Sequence, residues 1–299
     1  MNRKKIPLLN IEDYEHPWDK SARDSLEKVP GFTGLIKKLN EIGFDRLLKI
    51  QFTGSSFKVN QSNLSDVYKL LQEACDILAI DRQPDLYIQM GYGINAFTAG
   101  VEKPIVVLNR DCIDWLSSDE LLYVIAHELG HIKSNHVLYY QTASYLPSIA
   151  QVMGNTVFGL GSLFTTGLQL SLMNWKRMSE FTADRAGLLA CQNPEVAASV
   201  MVKLAGLPKK YFTDNLVQDF LKQAQEFESY DYDTIDRIAK IFSTINNSHP
   251  WIVMRTAELF KWFESPDYSK VMAKSHWKSA LASDSELENI SDVTKPWHY

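Results

Sequence analysis

The chain has 299 residues, 45% of them hydrophobic, and its 36 acidic and 31 basic side chains give a formal charge of -5 at pH 7. A chain of this size and composition buries a sizeable core, which excludes intrinsic disorder and the small disulfide-held scaffolds as its class. With no dense basic run after Arg3-Lys4-Lys5, nucleic acid is disfavoured as a partner.

Cys75, Cys112 and Cys191 stand far apart without C-x-x-C spacing, which predicts buried, reduced thiols rather than disulfides or a cysteine metal site. The apolar patch Ile6-Pro7-Leu8-Leu9 is too short for the core of a cleaved signal. Both features favour a cytoplasmic setting.

In chain order, residues 1–60 read as a lead-in packed on the main domain. Pro17, Pro30, Gly31 and Gly34 break it around a helix predicted at 33–42, and Trp18, Phe32, Phe44 and Phe52 supply apolar contacts. Behind Asn63-Leu64-Ser65, the residues Val67, Leu70, Leu71, Ala74 and Leu78 recur at helical spacing, predicting a helix over 66–78. Three strands follow: 85–90 alternating around Leu86 and Ile88, an extended 95–99, and the run Ile105-Val106-Val107-Leu108. They predict a small antiparallel or mixed sheet.

Ser117-Ser118-Asp119-Glu120 has the form of a capping box, and Leu121, Leu122, Val124, Ile125 and Leu129 make an apolar stripe behind it. That helix carries His127-Glu128-Leu129-Gly130-His131. Residues one helical turn apart share a face, so both imidazoles can reach one metal ion while Glu128 handles a water beside it. Catalytic zinc takes three protein ligands and one water, so a third ligand is required. His136 points off that face and reads as a surface histidine at the end of the helix. Ser134 and Val137 occupy the glycine and third-histidine positions of H-E-x-x-H-x-x-G-x-x-H, which excludes the metzincin arrangement.

Glu180 is the better candidate. In Glu180-Phe181-Thr182-Ala183-Asp184, on a helix predicted over 179–191, two carboxylates stand one turn apart. Asp184 can then accept the outward N–H of a ligand histidine, and which histidine is left open. Between the two motifs, Val137 to Trp175 contains no charged side chain. A buried or self-associating helical hairpin is the reading for this stretch, with peripheral membrane contact or membrane insertion through 145–173 as its alternatives. Helices predicted at 196–205, 216–227, 232–242 and 252–263 complete a helical half, and 276–299 is an acidic tail.

His127-Glu128-x-x-His131 followed by Glu180-x-x-Ala183-Asp184 resembles the M48 metallopeptidases, the family of the HtpX-type, Oma-type and CAAX-prenyl proteases. Asn95-Ala96-Phe97-Thr98-Ala99-Gly100 upstream, and Ser248-His249-Pro250 with Arg255 downstream, extend the resemblance over about 63–263. It implies an α+β, mainly helical gluzincin fold, with a small sheet packed on the HExxH helix, in a metallopeptidase unit spanning 61–275. It further implies one zinc ion per chain on His127, His131 and Glu180, with Glu128 as general base. Asn95, Ala96 and Phe97 would receive an extended peptide as an added strand. His249 and Arg255 would lie near the cleft, where a donor stabilises the oxyanion. The implied function is a zinc endopeptidase acting on peptide or protein substrates. A non-catalytic zinc-binding scaffold that keeps the fold is the alternative, and Glu128, which a purely structural site does not need, favours the enzyme. Oligomeric state is not set by these residues.

Overall fold

The computed structural model describes residues 3–29, 44–143, 162–229 and 250–276, together with Phe32 and Ile36. His249, the predicted helices at 33–42 (Ile36 apart) and 232–242, the 144–161 part of the charge-free stretch and the tail from 277 lie outside the described residues.

Helix α1 (Pro17–Glu27) opens the fold. Pro17, expected to break the chain, starts a helix instead: at the first helical position its missing N–H costs nothing, and the preceding His16 accepts the Trp18 N–H on its ring. Helix α2 (Phe44–Ser55) and strand β1 (Phe57–Val59) lead to α3 (Ser65–Ile77), which runs within one residue of its expected bounds and buries Val67, Leu71, Ala74, Cys75 and Ile77.

Strands β2 (Asp85–Gln89), β3 (Ala96–Ala99) and β4 (Ile105–Asn109) join β1 in a mixed sheet of order β1-β2-β4-β3. β2 and β4 are parallel, while the outer pairs are antiparallel. Every residue of β4 is buried, which is why its sequence is a continuous apolar run rather than an alternating one. β3 is the edge strand on the side of the next long helix.

After the short α4 (Arg110–Trp115) comes α5 (Ser118–Lys133), the helix of the two histidines. Its capping box is present: the Ser117 hydroxyl accepts the Glu120 N–H, and the Glu120 carboxylate accepts the Ser117 N–H. The amphipathic stripe expected for α5 is not what forms. All residues from Glu120 to His131 are buried, because α3 and the sheet cover one side and helices α6 (Ser162–Cys191) and α7 (Pro194–Leu204) the other. α5 is the axis of the molecule.

α6 is a single helix of 30 residues, so 162–173 belongs to the same rod as Glu180. Among the described residues no helix is long and apolar enough to cross a membrane. Helices α8 (Asp214–Ser229), α9 (Ile252–Glu264) and α10 (Pro266–Ala273) close the helical half.

The α5–α6 crossing is tight, and two glycines make it so. A Cβ on Gly130 would stand 2.6 Å from the Ala186 Cβ, and one on Gly187 would meet the Tyr123 ring at 2.8 Å. Ile6, Leu9 and Tyr14 of the N-terminal segment are at most 2% exposed within the main core, each contributing about 1.5–3 kcal/mol of burial. Leu26, Phe32, Ala143, Leu168, Leu172 and Trp175 form a second cluster between α1 and α6. All three cysteines are buried and free.

Candidate metal centre

The helical period of α5 turns Tyr123, His127 and His131 to one face, toward α6. Across the crossing, Glu180 Oε2 lies 3.6 Å from His127 Nε2, and Glu180 Oε1 lies 3.6 Å from His131 Nε2. The ligand atoms of His127, His131 and Glu180 all fall within 4.8 Å of one another, and all three side chains are buried. A tetrahedral ion with bonds of about 2.0–2.2 Å separates its ligand atoms by about 3.3–3.6 Å. The cluster therefore fits a metal ion with little rearrangement.

The backs of both rings are held as metal-ligating imidazoles require. Asp184 Oδ1 is 3.1 Å from His127 Nδ1 and accepts the Tyr123 hydroxyl at 3.1 Å, so His127 is the histidine that Asp184 holds. Arg255, from α9, grips that carboxylate: Nε donates to Asp184 Oδ2 at 2.8 Å and one terminal nitrogen to Oδ1 at 2.6 Å. Its other terminal nitrogen reaches Glu180 Oε2 at 3.2 Å. One arginine thus ties the ligand carboxylate to the carboxylate behind the opposite histidine. The two acids oppose its desolvation, and Asp184 in turn is held below the ordinary carboxylate range by Arg255 and His127 against the effect of burial.

His136 is not a surface residue. It is 0% exposed, its Nδ1 lies 2.9 Å from His131 Nδ1, and its Nε2 lies 3.0 Å from Asp19 Oδ2 on α1. α5 ends at Lys133, and Asn135 adopts a positive φ of 58°, so the helical stretch that starts at 136 folds back and turns His136 inward behind the site. Extrapolating α5 past its real end produced the wrong direction.

The centre opens into a cavity of about 780 Å³. Asn95, Ala96 and Phe97 line it together with Thr98 and Ala99, so the edge strand forms one wall. Phe52 of α2 packs on Phe97 with ring centroids 5.6 Å apart. Arg255 and Trp251 also line the cavity.

Glu128 projects into this space beside the ligands. Burial pushes its carboxyl up to about 7, with Glu180 adding to the rise and His127 and Arg255 opposing it. Three further residues have no precedent in the sequence reading. Tyr140 donates its hydroxyl to Glu180 Oε1 at 2.7 Å and stacks edge-on against His131, with Lys176 Nζ 5.0 Å from its ring. Tyr123 was legible one turn before His127; Tyr140 and Lys176 carried no comparable signal.

Two histidines one turn apart on a buried helix, a neighbouring carboxylate, and a glutamate from a crossing helix define the site of a metallopeptidase. The chain belongs to peptidase family M48, whose model matches residues 62–263. Its sheet and crossed helices are a gluzincin-like fold. The chain is 33% identical over 275 residues to the plastoglobule-localized metallopeptidase 48, chloroplastic, of Arabidopsis thaliana, covering 91% of this chain and 78% of that one. It is 26% identical over 256 residues to protease HtpX homolog 2 of Methanosarcina mazei, covering 77% and 83%. With protease HtpX homolog of Helicobacter pylori it shares 31% identity over 120 residues, 39% of each chain. No solved structure matches it.

Proposed function

We propose that the protein is a zinc-dependent endopeptidase, with one zinc ion per chain on His127, His131 and Glu180 and with Glu128 as general base. The observation that carries this reading is the buried cluster of His127, His131 and Glu180 at a cavity that Glu128 and an edge strand also line. When bound, zinc supplies Lewis acidity to a water and to the scissile carbonyl. Glu128 takes the proton of the attacking water and delivers it to the departing amine.

The edge strand supports an extended peptide as substrate. The Asn109 N–H donates to the Asn95 carbonyl at 2.9 Å, so the Asn95 backbone faces β4. By strand alternation the backbone groups of Ala96 and Thr98 face away, free to pair with an incoming strand. Arg255 acts in this reading by fixing Glu180 and Asp184; His249, outside the described residues, keeps its proposed part as an oxyanion donor. The peptidase unit is taken as 61–275, with 1–60 packed on it and 276–299 as a tail.

The plastoglobule location in one relative's name supports contact with a lipid surface, in place of the cytoplasmic setting expected from the sequence. The test is zinc analysis together with turnover of a denatured protein, with and without chelator. Stoichiometric zinc with chelator-sensitive cleavage, lost in Glu128→Gln while zinc is kept, is expected. Stoichiometric zinc without cleavage would instead identify the non-catalytic scaffold.

A further inference from the structure

Behind His131 runs a line of polar contacts that the peptide chemistry does not use. His131 Nδ1 meets His136 Nδ1 at 2.9 Å, and His136 Nε2 stands 3.0 Å from Asp19 Oδ2. Asp19 Oδ2 also accepts the Thr182 hydroxyl at 2.6 Å, and that hydroxyl oxygen accepts the His16 backbone N–H at 3.0 Å. Asp19, His136 and Thr182 are all 0% exposed. The line therefore crosses from α1, through the turn after α5, to the ligand face, and it is braced by the residue midway between Glu180 and Asp184.

The direction of the hydrogen bonds follows from the chemistry of the ends. A ligand imidazole must offer a lone pair to the cation, and the His131 nitrogen facing Glu180 is Nε2. Its proton therefore sits on Nδ1. Two nitrogens 2.9 Å apart share one hydrogen, so His136 Nδ1 accepts and the His136 proton sits on Nε2, the nitrogen 3.0 Å from Asp19 Oδ2. The other His136 tautomer would set N–H against N–H, and Asp19 would face a lone pair. Asp19 thus selects the His136 tautomer, and His136 selects that of His131.

We propose that Asp19 and His136 are positioning residues of the metal centre, relaying a fixed tautomer and ring orientation to His131, so that the N-terminal helix is part of the metal site rather than a lead-in. This rests on the reading of His127, His131 and Glu180 as metal ligands. An orienting partner behind a ligand histidine is worth 10–100-fold in metal affinity, and here that partner is an imidazole backed by a carboxylate from a distant segment.

The test uses the full chain and zinc itself. Zinc dissociation constants are measured by competition with a chromophoric chelator, and the visible spectrum of the cobalt-loaded protein reports ligand geometry. Asp19→Leu and His136→Phe are each expected to weaken zinc about 10–100-fold and to alter the cobalt spectrum. The double variant should be no weaker than the worse single one, because both break the same line. Asp19→Asn and His136→Asn, whose amide oxygens accept the bonds that Asp19 Oδ2 and His136 Nδ1 accept now, should recover affinity to within about fivefold, a rescue that a packing role would not give. Nitrogen-15 spectra of the zinc-loaded wild type should show His131 protonated at Nδ1 and His136 at Nε2, and this needs no variant to fold. Unchanged zinc affinity in both apolar variants, or a proton on His136 Nδ1, overturns the relay. If instead the wild-type chain takes up no zinc, or keeps it in His127→Ala and Glu180→Ala, it is the metallopeptidase reading that fails.

Discussion

One buried ion pair ties α5 to α7, and Lys203→Met isolates its contribution. Lys203 Nζ, on α7, donates to both Glu120 oxygens at 2.6 and 2.7 Å, and the two side chains are 7% and 6% exposed. Methionine keeps the unbranched stem that packs near Phe212 while removing the cation. Leaving a buried charge without its partner costs about 3–5 kcal/mol. Glu120 retains the Ser117 N–H at 2.7 Å and the Ser199 hydroxyl, so the lower end, about 3 kcal/mol, is expected. For a domain of this size that is a fall in melting temperature of about 6–12 °C. Calorimetry and denaturant midpoints of the two proteins side by side measure it.

The same pair has a signature in pH. Burial alone would raise the Glu120 carboxyl, but Lys203, Ser199 and the Ser117 N–H prevail and hold it below the ordinary range. A depressed folded value stabilises above the unfolded pKa, about 4.3, and that stabilisation is lost as pH falls through the folded value. The gap between wild type and Lys203→Met should therefore be full at pH 6–7 and close below about pH 4. A loss under about 1 kcal/mol at neutral pH, the range of solvent-exposed pairs, would refute the reasoning.

Gly130→Ala should cost about 1–3 kcal/mol in thermal unfolding, because the new methyl meets the Ala186 Cβ at 2.6 Å and must push α5 from α6. The same displacement moves His127 and His131 off Glu180, so chelator competition should show weaker metal binding as well. Arg255→Gln breaks the clamp on Asp184 and Glu180, with an expected loss of about 10–100-fold in zinc affinity by the same titration. Ala96→Pro removes one outward N–H from the edge strand; KM for a peptide substrate should rise about tenfold, the equivalent of one hydrogen bond, with kcat little changed. Equal losses in kcat and kcat/KM for that variant would argue against strand addition.

The parts of this site that could be read in the sequence are those governed by local periodicity. The turn between His127 and His131, the turn between Glu180 and Asp184, the capping box at Ser117 and the all-apolar β4 each follow from spacing within one element. What joins those elements follows other rules. Asp184 finding His127 rather than His131, and Arg255 finding both Asp184 and Glu180, are set by how α5, α6 and α9 cross. Thr182 and Asp19 meet across 163 residues. His136 was misread for a specific reason: Asn135, at φ 58°, ends the helical register from which its direction had been extrapolated. Pro17 was misread because a proline breaks a helix from inside but starts one at its first position.

Arg255 also sets an order of events. Ribosomal synthesis delivers α5 and α6 long before α9, so every ligand of the metal centre exists before its counter-charge does. Until Ile252–Glu264 has emerged and docked, Glu180 and Asp184, one turn apart on α6, would stand in a forming core without the Arg255 guanidinium that contacts both, a state that burial penalises. The clamp on Glu180 and Asp184 comes from a helix near the end of the described residues, so a chain that ends before residue 252 carries His127, His131, Glu180 and Asp184 without Arg255.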